Sequence, residues 1–238
     1  RDRSVSRGLG DVYKRQGNNG RTELVFVVDR SGSMGGLESD TIGGFNSMLS
    51  KQRTIAGECR VTTLLFDHRI ETLHNHLDIR EVNDLTSRDY WVRGSTALLD
   101  AIGLAIDRMI VTQRHTAAAY RAQHVLFVII TDGYENASRR YSLHQIKQMI
   151  TYERERYHWE FVFLGANIDA EQTAGDFGIS PRCATDFHAD GQGIKASFEA
   201  VACAATAVRG GADLDDLSAP DFLGGVRDDY RSRRRMKR

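Results

Sequence analysis

Asp29, Ser31 and Ser33 fall in the stretch Asp29-Arg30-Ser31-Gly32-Ser33, directly after the apolar run Leu24-Val25-Phe26-Val27-Val28. One carboxylate and two hydroxyls on a tight turn at a strand end make a set of hard oxygen donors. Mg2+ and Mn2+ are hard cations that take oxygen ligands in an octahedron, so this donor type points to them. Two further stretches, Gly94-Ser95-Thr96 and Thr131-Asp132-Gly133, carry more of the oxygens such a site needs. Taken singly, each piece has an ordinary structural role. Asp29 reads as a cap, Ser31 and Ser33 as a turn, Thr96 as the N-cap of a helix at Leu98, and Asp132-Gly133 as a turn. They become a site only if the fold brings Asp29, Ser31, Ser33, Thr96 and Asp132 together.

The elements that would do so are legible in the hydropathy pattern. Continuous apolar runs at Leu24 to Val28, Val61 to Phe66, Val125 to Ile130 and Phe161 to Leu164 predict buried strands of a parallel sheet. Between them, Ile42-Phe45-Leu49, Leu98-Ile102-Ala105-Met109, Leu143-Ile146-Ile150 and Ile194-Phe198-Val201-Ala205-Val208 keep helical spacing and predict amphipathic helices. The more polar stretch Ile70 to Leu77 follows Phe66 after Asp67-His68-Arg69 only, too short a connection for a parallel crossover. It is expected to be an antiparallel edge strand. A short sixth strand is expected near Arg182 to Asp186.

The three loop motifs and this strand list resemble the von Willebrand factor A domain family and its metal-ion-dependent adhesion site. The resemblance covers about residues 22–212 and departs from the family's five-residue pattern nowhere. It implies a doubly wound, Rossmann-like α/β fold: a mostly parallel six-stranded sheet with one antiparallel edge strand and helices on both faces. In the order 3-2-1-4-5-6, the strand reversal falls between the strands that end at Val28 and Ile130, and ligands collect at such a crevice. It also implies that Ser31, Ser33 and Thr96 bind Mg2+ or Mn2+ directly, while Asp29 and Asp132 hold metal-bound waters and serine hydroxyls. A partner protein's Asp or Glu would then complete the octahedron. Glu135 and Asn136, just beyond Asp132, are expected to rim the metal face and influence partner choice.

The expected function is therefore divalent-metal-dependent protein binding in a bacterial or phage-encoded cytoplasmic protein. Two alternatives carry weight: an adaptor subunit beside an AAA+ ATPase of the chelatase or remodelling type, and a metal-dependent phosphohydrolase. Against an enzyme stand the absence of a GxSxG, Walker A or HExxH motif, and Ser31 where haloacid-dehalogenase phosphatases resemble Asp-x-Asp.

The remaining composition is less informative. Net charge is zero over 238 residues, so no global field argues for nucleic acid. No long apolar run predicts a membrane span. The three cysteines, Cys59, Cys183 and Cys203, lack CxxC spacing and read as reduced thiols. His74 and His76, two apart, are weighed as a transition-metal pair but read first as a polar edge. Residues 1–16, with five bases and no periodicity, resemble translated sequencing adapter. One domain is expected over residues 17–212. Residues 213–238, with six acids and seven bases, are expected to form a polar, flexible tail whose basic end could touch nucleic acid or an acidic partner.

Overall fold

The computed structural model describes residues 20–236; the adapter-like segment 1–16 lies outside the described residues. Six strands form one sheet in the order β3-β2-β1-β4-β5-β6. They are β1 (Thr22–Asp29), β2 (Cys59–Phe66), β3 (Ile70–Asp78), β4 (His124–Thr131), β5 (Glu160–Gly165) and β6 (Ala184–Asp186). Five strands run parallel and β3 pairs antiparallel with β2. The helices are α1 (Glu38–Arg53), α2 (Leu98–His115), α3 (Leu143–Tyr157), α4 (Ala170–Asp176), α5 (Gly191–Arg209) and α6 (Gly224–Met236). This is the doubly wound α/β architecture expected from the alternation of apolar runs and helical spacing.

Every residue of β1 is buried, which is why that strand shows no polar alternation: helices cover both of its faces. On the sheet, α1 packs with α5 and α2 with α3. The α1–α5 approach is close because Gly44 leaves room for the Phe198 ring, which an added methyl group would strike. Gln52 on α1 donates to Ala202 O at 2.9 Å, and Arg209 on α5 donates back to Gln52 O at 2.6 Å. Local capping agrees with the tertiary plan. Ser142 and Gln145 form a capping box at the start of α3, and Asp190 caps α5 by accepting the Gly193 amide.

Three expectations outside the core need adjustment. The His74 and His76 rings take separate partners: buried His74 lies 3.0 Å from Thr63 Oγ1, and His76, at φ 56°, sits 2.6 Å from the Glu23 carboxylate. A register irregularity between Val61 and Leu64 breaks the simple alternation of the edge strand there. The segment after residue 212, expected to be a flexible tail, folds back on the domain. Leu214, Phe222, Leu223 and Val226 are buried, α6 packs on α5 and β6, and Arg182 and Arg227 donate to main-chain carbonyls across the seam. Four apolar residues scattered through a charged stretch give no clean helical period, so the packing was hidden in the sequence. Cys59 and Cys183 are buried free thiols, whereas Cys203 is exposed. Among the described residues no helix is long and apolar enough to cross a membrane.

Candidate functional site

The register of the sheet places Asp29 at the end of β1 and Thr131 at the end of its neighbour β4, with the loops carrying Ser31, Ser33 and Asp132 just beyond. A gap of about a hundred residues thus closes into one cluster at the carboxyl ends of the strands. After β1 the chain makes a single 3-10 turn over Gly32–Met34, pinned below by the buried Met34 side chain. Gly36 and Gly94 take φ of +86° and +68°, where a side chain would be strained. Gly32 provides a close approach: its amide donates to Gly94 O at 3.1 Å and ties the first loop to the second.

A chain of hydrogen bonds links the acidic and hydroxyl groups. The Ser31 amide donates to Asp29 Oδ1 at 2.6 Å, Thr131 Oγ1 donates to Asp29 Oδ2 at 2.6 Å, Ser31 Oγ lies 3.0 Å from Ser33 Oγ, and Ser33 Oγ donates to Asp132 Oδ1. Thr96 joins from the second loop: a methyl group at Gly133 would sit 3.3 Å from Ser33 Oγ and 3.5 Å from Thr96 Oγ1. All five expected residues therefore meet around one point.

Glu135 and Asn136, expected at the rim, also make hydrogen bonds that hold the loops together. The Glu135 carboxylate accepts from the amides of Leu99, Ala137 and Ser138 and from the Ser138 hydroxyl, and Asn136 Oδ1 accepts from the Thr96 amide at 2.9 Å. Both hold the Thr96 loop against the loop after β4. Their short offset from Asp132 gave no hint of this, because the partners lie across the fold.

Electrostatics mark the cluster as short of positive charge. Burial raises the Asp29 carboxyl above its ordinary value, against the hydrogen bonds from Thr131 and Ser31. Burial, joined by the charge of Asp29, raises Asp132 to about 6, against the Ser33 hydrogen bond. Asp132 Oδ2 is buried and accepts no hydrogen bond among the described residues. Two crowded carboxylates, one with an orphaned oxygen, beside three hydroxyls fit a hard dication, which would offset the burial that raises both groups. Among the described residues no group of three or more His, Cys, Asp or Glu side chains is placed to hold a metal ion; hydroxyls make up most of this set.

Four neighbours, Tyr90, Arg30, Asp67 and Arg93, escaped the sequence reading. Buried Tyr90 donates its hydroxyl to Asp29 O at 2.6 Å, and Thr131 orients Asp29 as described. Arg30, inside the motif itself, is fully buried: its Nε donates to Asp67 Oδ2 at 3.0 Å, Nη1 lies 2.8 Å from Glu71 Oε2, and its guanidinium faces the Trp91 ring at 5.1 Å. Arg93 Nε donates to the same Asp67 oxygen at 2.9 Å. Asp67 O in turn accepts the Ala97 amide at 2.9 Å, so an ion cluster underlies both loops. Asp67 follows β2 beside the end of β1 as Asp132 follows β4, a position visible in the sequence although its burial is not.

No family model matches the sequence, and no curated protein matches it. Solved structures do. Proximal thread matrix protein 1 from the mussel byssus, with a zinc-occupied MIDAS motif, superposes at TM-score 0.54 and 15% identity over 77% of this chain and 45% of its own. The manganese-loaded TRAP protein of Plasmodium vivax superposes at TM-score 0.51 and 15% identity, over 75% of this chain and 72% of its own. The fold is von Willebrand A-like. At such identities the likeness shows the fold alone, and the chain spans less than half the length of the mussel protein.

Proposed function

We propose that this von Willebrand A-like chain is a divalent-metal-dependent protein-interaction module. Asp29, Ser31, Ser33, Thr96 and Asp132 hold Mg2+ or Mn2+, and a partner protein presents an Asp or Glu side chain to the ion. The observation that carries this reading is the buried, unpartnered Asp132 Oδ2 beside the Ser31–Ser33 hydroxyl pair. The ion would supply positive charge for an incoming carboxylate, undiminished by directly bound protein carboxylates. Asp29 and Asp132 are occupied in orienting hydroxyls and the loop backbone, a role that suits holding a ligand rather than moving a proton. The names of the structural neighbours, one zinc-occupied and one manganese-loaded, lend support.

The test is capture of a partner by the immobilised chain in millimolar Mn2+, in EDTA, and with Ser33→Ala. Capture is expected in Mn2+ only and is expected to be lost with Ser33→Ala. A captured AAA+ ATPase would make the chain that enzyme's adaptor. Equal capture in EDTA, or Mn2+-dependent phosphoester cleavage by the purified chain, would contradict the reading.

A further inference from the structure

The pole of the sheet opposite the metal loops holds a cavity of about 180 Å3 between the last turns of α2 and α3 and the starts of β4 and β5. The length of β4 separates it from Asp132 by roughly 25 Å. Its walls include Ile110, Val125, Tyr152, Tyr157 and Trp159. One carboxylate lines it: Glu153, on α3, is 4% exposed. Burial raises that carboxyl above its ordinary value and the charge of Arg114 pulls it down, while no ion pair or hydrogen bond to it forms among the described residues.

The way the chain builds this corner is specific. At the end of α3, His158 takes the left-handed conformation with φ 55°, and the Trp159 amide returns to Glu153 O at 3.3 Å. The reversal lays the indole beside the last turn of the helix. Phe127 stacks on Trp159 at 5.5 Å and on Phe161 at 4.8 Å, which fixes that wall. Tyr157 lies 6.5 Å from Trp159 and Tyr152 lies 6.0 Å from Tyr157, completing a run of three rings.

A largely buried carboxylate gains from a cationic partner, and aromatic faces attract cations. A ring-lined cavity with one unpartnered carboxylate therefore selects a positive ligand with an apolar stem. We propose that this cavity binds an organic cation of the alkylammonium or guanidinium class through Glu153, Tyr152, Tyr157 and Trp159. Two cationic side chains, Arg114 and Arg121, also line it. Arg121 Nε is engaged by Thr116 O at 2.9 Å, while Arg114 lies exposed at the mouth. Arg114 competes with the ligand for Glu153. The cation has two sources, a free amine or a Lys or Arg side chain on another protein, and the site is independent of the metal reading.

The chain has two tryptophans, so the two indole N–H signals in an NMR titration report the two poles separately. N-acetyl-lysine methylamide is expected to shift the Trp159 signal saturably and leave Trp91 unchanged, with or without EDTA. Its norleucine counterpart should bind at least about tenfold more weakly, as should the lysine derivative to Glu153→Gln or Tyr157→Leu. Arg114→Ala should tighten binding. A lysine-containing peptide that binds about tenfold tighter than n-butylammonium assigns the site to a protein-borne side chain, and equal binding assigns it to a free amine. Equal binding by the norleucine derivative, weaker binding by Arg114→Ala, or unchanged titration of Tyr157→Leu would overturn the proposal, and this last result stands even if Glu153→Gln does not fold.

Discussion

Asp132→Ala is expected to lower Mn2+ affinity by about 10- to 100-fold, measured by titrating the chain and following free Mn2+ by its EPR signal. The residue is not assigned to touch the ion. It fixes Ser33 Oγ and supplies one of the two carboxylates at the centre, and loss of such an orienting group around a metal costs affinities of this order. The same substitution should leave the metal-free fold intact, or slightly more stable. The reason is that the carboxyl removed is one whose ionised form burial and Asp29 already disfavour. An unchanged Mn2+ affinity with an intact fold would show that the ion, if bound, is held elsewhere.

Asp67→Ala should destabilise the chain by about 3 kcal/mol, read from urea unfolding midpoints. The Arg30 and Asp67 side chains are both fully buried, so truncation leaves a guanidinium inside the protein with only the half-exposed Glu71 within reach. Breaking one side of a buried pair costs more than the pair is worth. Asp67→Ala combined with Arg30→Met should therefore recover much of the loss. Burial pushes the Asp67 carboxyl up, but the Arg93 and Arg69 hydrogen bonds and the charges of Arg30 and Arg93 outweigh it and hold the group below its ordinary 3.8. Its folded value is thus depressed. The contribution is present above 3.8, and is lost as pH falls through the folded value. A loss below about 1 kcal/mol for Asp67→Ala would mean that water reaches Arg30 and the cluster is not sealed.

The two predictions separate what was legible in the sequence from what was not. Strands buried on both faces write themselves as apolar runs, and helices over them as 3.6-residue periods, so β1, β2, β4, β5 and the helices α1, α2, α3 and α5 could be read directly. The candidate site was legible because its five residues sit at strand ends or helix starts, where topology alone decides proximity. The Arg30–Asp67–Arg93 cluster was not, because burial of a charge is a property of three distant segments meeting. The structural part of Glu135 was hidden for the same reason: its main-chain partners span the start of α2 as well as its own loop. The C-terminal helix α6 escaped because Phe222, Leu223 and Val226 are too few to outweigh the charges around them.

The measurement that tests the central claim most directly is paramagnetic broadening of backbone amide signals by substoichiometric Mn2+. The account predicts selective loss of the signals of Gly32, Ser33, Gly94, Thr96 and Gly133, with Val125 and Trp159 at the opposite pole untouched, and recovery on adding EDTA. Broadening centred on another acidic patch, such as Asp213 to Asp216, or none at millimolar Mn2+, would contradict it.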